Sequence, residues 1–286
     1  KSQLSKIIGE SYFNLGQYAE AIPYLKEYKG FRGKWNNTDY YQLGYAYYKQ
    51  GDYESAIGEF NKIVDGKNAV AQNAYYHLAE SYLKLDKKQE ALNAFKNASE
   101  MDFSAEIQED AYLNYAKLSY EIGNSYKSTP QVLLSFIEKY PNNANNDELK
   151  RLLIDSYITS KNYKEALDLL ENNKDFENKA AYQKVAFYRG IELYNEADYN
   201  EAIAFFDWKA ESDYQLSNFE KSLAGYNKFQ QLPGSQNTSE YKNLKYNVAY
   251  NQFKLKNYTD AINNFKIYVG SSSAETIRKK DALLRL

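Results

Sequence analysis

Cysteine is absent from all 286 residues, which excludes disulfides and thiol chemistry and fits a reducing or an oxidising compartment equally well. Histidine occurs once, as His77, so a conventional catalytic triad or a zinc site rich in His and Cys has no parts. His77 is read as a surface or groove residue rather than a catalyst. Carboxylates are plentiful, but none stands in an apolar run that would tune its pKa. The chain is expected not to be an enzyme, and no metal or other cofactor is implied. Only four prolines and thirteen glycines interrupt the chain, leaving long helices possible. No apolar run approaches the roughly 18 residues that a bilayer demands. Nor is there a net charge of one sign: 36 basic residues face 38 acidic ones, giving −2, with no basic field for nucleic acid or an anionic membrane. Lys1 opens directly into a helical pattern, so any signal peptide or lipid anchor is expected upstream of it. Hydrophobic content of 43 % argues against a disordered chain.

What the chain does have is a period. Gly9, Gly44 and Ala79 lie 35 residues apart, and so do Ala21, Ala56 and Ala91. In the second copy, Tyr40, Leu43, Gly44 and Tyr47 fall at helical spacing and give one helix an apolar face. Gly51 ends that helix, and Asp52 caps a second carrying Ala56, Phe60 and Ile63 inward. Small residues at Gly44 and Ala56 allow the pair to approach closely. One such hairpin cannot bury its own face, but a stack can. Cap signals recur as Asn162 with Glu165, Asp198 with Glu201, and Asn257 with Asp260. An aromatic follows the cap at Tyr18, Tyr53, Tyr163, Tyr199, Phe219 and Tyr258.

Ile8-Gly9-Tyr12-Ala21, Leu43-Gly44-Tyr47-Ala56-Phe60 and Leu78-Ala79-Tyr82-Ala91-Phe95-Ala98 together resemble the tetratricopeptide repeat family over essentially the whole chain. Ser119, Ile154 and Ser222 depart from its pattern, replacing an aromatic, a small residue and an alanine. The resemblance implies an all-α, right-handed solenoid of about eight helix-turn-helix repeats whose first helices line a concave groove. As one array over 1–286, the repeats are expected at 2–35, 37–70, 72–106, 109–143, 147–177, 183–207, 208–236 and 242–274, with the start of a ninth at 280–286 and the protein continuing beyond it.

Irregular spacings mark the exceptions. An inserted turn is expected around Asn124 to Pro130, and Leu232 to Ser239, with its Pro-Gly and polar residues, reads as an exposed loop and candidate hinge. From Gly190 to Ala210, and from Ala202 to Ser222, the spacing is only 20 residues. Both helices of the hairpin lose the same length, so roughly fifteen residues, by the repeat period, are expected to be missing between Asp207 and Trp208. The alternative is a continuous, fused helix.

Thirty-one tyrosines are the feature that bears on function. Tyr41, Tyr45 and Tyr48 share one stripe of a first helix, as do Tyr246, Tyr250 and Phe253, and Phe187 with Tyr194. Phe13, Tyr76, Tyr120 and Tyr214 occupy related positions. Through the family resemblance these residues line the groove and bind a protein or peptide segment, with tyrosine supplying flat apolar area and a hydroxyl. The competing origin is an AT-rich coding bias toward Tyr, Asn and Lys. A glycan-stacking solenoid is the alternative use of the same rings. The family's clamp for a terminal carboxylate is not expected, because Glu10 stands where the asparagine beside Lys6 should be, and Asn114 and Asn247 lack the surrounding cations. Asn-x-Ser/Thr sequons at Asn36, Asn97, Asn237 and Asn257 are expected by chance in so Asn-rich a chain. Phe136-Ile-Glu-Lys-Tyr140-Pro141-Asn-Asn143 resembles the inter-repeat junction of bacterial periplasmic tetratricopeptide proteins, with a poorer echo at Phe265 to Val269. The expected location is therefore the periplasm or outer membrane, with a cytoplasmic scaffold as runner-up. Spacing says nothing of oligomeric state.

Overall fold

The apolar stripes and the turn residues build helices throughout a computed structural model that describes residues 2–63, 66–176, 178–196, 198–215, 217–238 and 240–286. The α-helices are α1 (Ser2–Asn14), α2 (Tyr18–Glu27), α3 (Asn37–Lys49), α4 (Tyr53–Phe60), α5 (Ala69–Lys84), α6 (Lys88–Ser99), α7 (Ala105–Ile122), α8 (Thr129–Lys139), α9 (Asn146–Thr159), α10 (Tyr163–Asn172), α11 (Lys179–Asn195), α12 (Tyr199–Gln215), α13 (Phe219–Gln231), α14 (Tyr241–Lys254), α15 (Tyr258–Val269) and α16 (Thr276–Arg285). Among the described residues there is no strand beyond an isolated bridge between Phe31 and Lys34. The fold is all-α, a solenoid-type array of helical hairpins. It divides into two compact units, Lys1–Ser156 and Tyr157–Leu286.

Within each unit, helices pack on their chain neighbours, α1 on α2, α3 on α4 and α5 on α6 in the first, α11 on α12 and α14 on α15 in the second. In the first unit α1 also touches α3, α3 touches α5, and α5 touches α7, so successive first helices share one face. The small residues sit where the helices close up. A Cβ on Gly44 would lie 2.8 Å from the Phe60 ring, and one on Gly9 would lie 2.9 Å from Leu25. Ala79, Ala116, Ala210 and Ala249 are fully buried.

One turn recurs between the helices of a hairpin. The amide of its last residue donates to a carbonyl five residues back, as in Gln17 to Tyr12, Asp52 to Tyr47, Lys87 to Tyr82, Asn162 to Tyr157 and Asn257 to Gln252, at 2.9 to 3.0 Å. This is the helix-ending bond that demands a left-handed residue just before it. Gly16 and Gly51 supply that conformation freely, whereas Asp86, Lys161, Ser217 and Lys256 adopt it with φ of 56° to 63°. The turn also corrects part of the capping expectation. Asp52 does cap, accepting from the Ser55 amide at 3.1 Å, but Asn162 and Asn257 make no side-chain cap bond. The Asn257 amide group donates to Asp260 instead, at 2.7 Å. A full capping box forms at Asn36 and Asp39.

The departures from the repeat pattern have local causes. Ser119 is buried and accepts from Asn124 at 2.7 Å, and its carbonyl accepts from Thr129, so it anchors the longer turn ahead of α8. Ser222 donates to the Ala210 carbonyl at 2.8 Å. The stretch from Leu232 mixes buried and exposed residues. A short 3-10 turn at Ser235–Asn237 folds back, Leu232 and Ser235 are buried, and Thr238 donates to the Ser235 carbonyl; Ser239 lies outside the described residues. Across the short spacing, α12 runs as one helix through Asp207 and Trp208. It packs on α11 before it and α13 after it, serving both. No described helix is long and apolar enough to cross a membrane.

Candidate functional site: the tyrosine face of the first helices

In the first unit, Phe13, Tyr41, Tyr45 and Tyr48 come together as expected, and they do so around a residue the sequence reading set aside. His77, projecting from α5, lies 4.9 Å from the Tyr45 ring, 5.2 Å from Tyr48 and 6.1 Å from Tyr41. Its Nδ1 is 2.9 Å from Glu80 one turn on. Burial first, and then the Glu80 carboxylate, holds the Tyr48 phenol above its ordinary value. Phe13 meets Tyr45 and Tyr18 edge-on, and Tyr45 stacks on Tyr41. Tyr41 packs in turn on Phe60, and burial raises its phenol most, followed by the neighbouring Tyr45. Tyr41 is therefore as much core as surface. Tyr45 and Tyr48 are only half-buried, with the Lys49 ammonium 5.3 Å and 5.9 Å from their rings.

The last aromatic of a stripe has a structural duty that spacing alone did not reveal. It meets the aromatic following the turn edge to face: Phe13 with Tyr18, Tyr48 with Tyr53, Tyr214 with Phe219 and Phe253 with Tyr258, at 5.4 to 6.1 Å. Such pairs add about 0.5–1.5 kcal/mol beyond their area.

Three other expected groove residues spend their hydroxyls between repeats. Tyr76 donates to Asp110 at 2.5 Å, Tyr120 to Asp155 at 2.6 Å and Tyr246 to Asp281 at 2.7 Å, each acceptor 34 or 35 residues ahead. Burial and then the Asp110 bond raise the Tyr76 phenol. These charge-assisted bonds tie one first helix to the next. A related bond joins Lys6 to Asp39 at 2.8 Å, with the ammonium 4.8 Å from the Tyr28 ring. Lys6 is thus committed within the array.

In the second unit, Tyr214, Tyr246, Tyr250 and Phe253 form their own group. Tyr214 meets Tyr250 at 5.3 Å, and its phenol is pushed up to about 12 by burial and then by the bond to Tyr250. Arg285 lies over Tyr250 and Phe253 at 4.6 and 5.1 Å while gripping Asp281 through two bonds, of 2.7 and 2.9 Å. Phe187 stands apart from this group, packed on Phe206 with the ammoniums of Lys209 and Lys228 5.3 and 5.4 Å from its ring. Tyr194 is exposed. Among the described residues no cluster of His, Asp and Glu has the make-up of a metal site.

Comparison with known proteins finds tetratricopeptide-type repeats in the N-terminal third of the chain. The tetratricopeptide repeat model matches residues 7–30, and the model for anaphase-promoting complex, cyclosome, subunit 3 matches residues 31–98. No curated protein matches the chain significantly. Among solved structures, a tetratricopeptide repeat protein from Parabacteroides merdae is similar at 14 % identity and a TM-score of 0.43, covering 99 % of this chain and 98 % of that one. The C-terminal part of a repeat protein from Cytophaga hutchinsonii is 16 % identical, with coverage of 96 % and 98 % and a TM-score of 0.40. The TPR2AB domain of yeast Sti1, in a complex with pHSP90, is 15 % identical, with coverage of 99 % and 97 % and a TM-score of 0.38.

Proposed function

We propose that this chain, whose residues 7–30 match the tetratricopeptide repeat model, works as a non-enzymatic scaffold that receives an extended partner segment on the first-helix face of its first unit. The observation that carries this reading is the half-buried Tyr45 and Tyr48 pair beside His77 and Lys49. Aromatic anchors of this kind dominate binding energy when a partner covers them. Hydroxyls, an imidazole and an ammonium at their edges suit a peptide with both apolar and polar side chains. Apart from the stacked Tyr41, the rings around Tyr45 meet it edge-on or tilted, an interlocked arrangement that supports a peptide rather than a sugar as the partner. An envelope location is part of the same proposal and is supported by the Phe136 to Asn143 junction alone.

The test begins with peptides selected against the immobilised protein from a random library. Changing Tyr45 and Tyr48 together to Ala, and leaving the more buried Tyr41 in place, is expected to weaken the selected peptides at least tenfold, about 1.4 kcal/mol. Tyr258→Ala, at an exposed position on a second helix, should leave them unchanged. A folded double variant with full affinity would move the binding surface elsewhere.

A further inference from the structure

A second feature of the first unit shares no residue with the ring cluster. Between α6, α7 and α8 lies a pocket of about 270 Å³. Three lysines line it from three different segments: Lys96 from α6, whose ammonium lies 5.0 Å from the Tyr126 ring, Lys127 from the turn before α8, and Lys139 from the last turn of α8. The carboxylate among its lining residues is Glu100, which is 2.6 Å from Lys96. Lys127 and Lys139 form no ion pair with any described carboxylate. Lys139 instead rests over the rings of Tyr112 and Tyr140, at 5.8 and 5.2 Å.

Three lysines and a single carboxylate around one pocket leave a local excess of positive charge, with Lys127 and Lys139 exposed at its mouth where solvent screens their repulsion. The surrounding donors have the same polarity. Tyr115 accepts from the Asn124 amide at 2.8 Å, which leaves its own proton for another acceptor. Burial holds the phenols of Tyr112 and Tyr115 above their ordinary value, so both remain O–H groups at neutral pH. The array as a whole carries −2, so this excess of positive charge is local and not a general basic surface.

We propose that the α6–α7–α8 pocket binds a compact ligand carrying an oxyanion, carboxylate or phosphate, between the ammoniums of Lys127 and Lys139. Lys96 joins them by sharing its charge between Glu100 and the ligand. The volume lies just under the range of about 300–1,000 Å³ usual for small-molecule sites, which keeps the ligand small.

Calorimetric titration at fixed ionic strength, with inorganic phosphate and with citrate as separate probes, tests the proposal and distinguishes the two sources of the oxyanion. At least one probe is expected to give saturable binding. The Lys127→Gln/Lys139→Gln double variant should weaken it tenfold or more, and a Lys67→Gln/Lys87→Gln control, changing two exposed lysines of the same unit, should not. Lys127→Gln alone, at an exposed turn position, provides a variant whose folding is secure and should still lose affinity measurably. Binding of neither probe, or equal binding by the folded double variant, overturns the site.

Discussion

Asp207 shows how much a single residue can weigh in a chain of repeats. It is half-buried on α12, and its carboxyl is pushed up to about 6, first by desolvation and then by the charges of Glu240 and Glu211, with Arg278 opposing them. Tyr226 already donates to Glu211 at 2.7 Å, so that carboxylate is held in place. The unfolded Asp titrates near 3.9. Because the folded value is the higher one, the native state binds the proton more tightly, and stability is lost as pH rises through the window from about 4 to 6. Asp207→Asn is expected to be more stable than the native protein above pH 6, by about 1 kcal/mol once the full shift is discounted for solvent screening. The two should converge near pH 4. Urea melts at pH 4, 5, 6 and 7 check this, and a difference that does not change with pH would contradict it.

At the scale of the element, the hairpin turn sets the terms. Its left-handed residue is a glycine at Gly16 and Gly51, but a lysine at Lys161 and Lys256. A side chain in that conformation costs roughly 1–2 kcal/mol, whereas glycine costs about 0.5–1 kcal/mol in unfolded-state entropy. Lys256→Gly is therefore expected to stabilise the α14–α15 hairpin by a few tenths to 1 kcal/mol, read as a higher melting temperature. A lower one would show that Lys256 contributes a contact larger than its backbone strain. Turn geometry alone does not decide capping: Asn162 and Asn257 make no side-chain cap bond at φ −85° and ψ 57° to 71°, whereas Asp52, in the same turn at φ −84° and ψ 74°, accepts from the Ser55 amide.

Across the whole molecule, cohesion depends on bonds that step from one repeat to the next. Tyr76 to Asp110, Tyr120 to Asp155 and Tyr246 to Asp281 are the clearest, and each links two first helices. A bond to a charged acceptor contributes about 1.5–3 kcal/mol. Tyr76→Phe and Asp110→Ala are each expected to cost on the order of 1–3 kcal/mol in urea melts, and the double variant should cost clearly less than their sum. Strict additivity would mean that the pair is incidental to the stacking of repeats. The tyrosines on the first-helix face thus fall into two groups, those that hold the stack together and those, centred on Tyr45 and Tyr48, with area left for a partner.

The 35-residue period, the helical hairpins, the close approaches at Gly9 and Gly44 and the meeting of Tyr41, Tyr45 and Tyr48 were legible in the residues themselves. In a stacked array each helix packs mainly on its chain neighbours, so local spacing carries most of the fold. Other features were decided only in three dimensions. Spacing marked Tyr76, Tyr120 and Tyr246 as groove residues but could not show that an aspartate one repeat away takes up each hydroxyl. It read His77 as a surface or groove residue but not as the hub of the ring cluster, and for the short spacing at Asp207 and Trp208 it favoured missing residues over the continuous helix α12. Lys96, Lys127 and Lys139 have no sequence relation to one another at all. Periodicity specifies which face a side chain occupies, whereas bonding partners depend on the depth and direction at which neighbouring helices bring their side chains together.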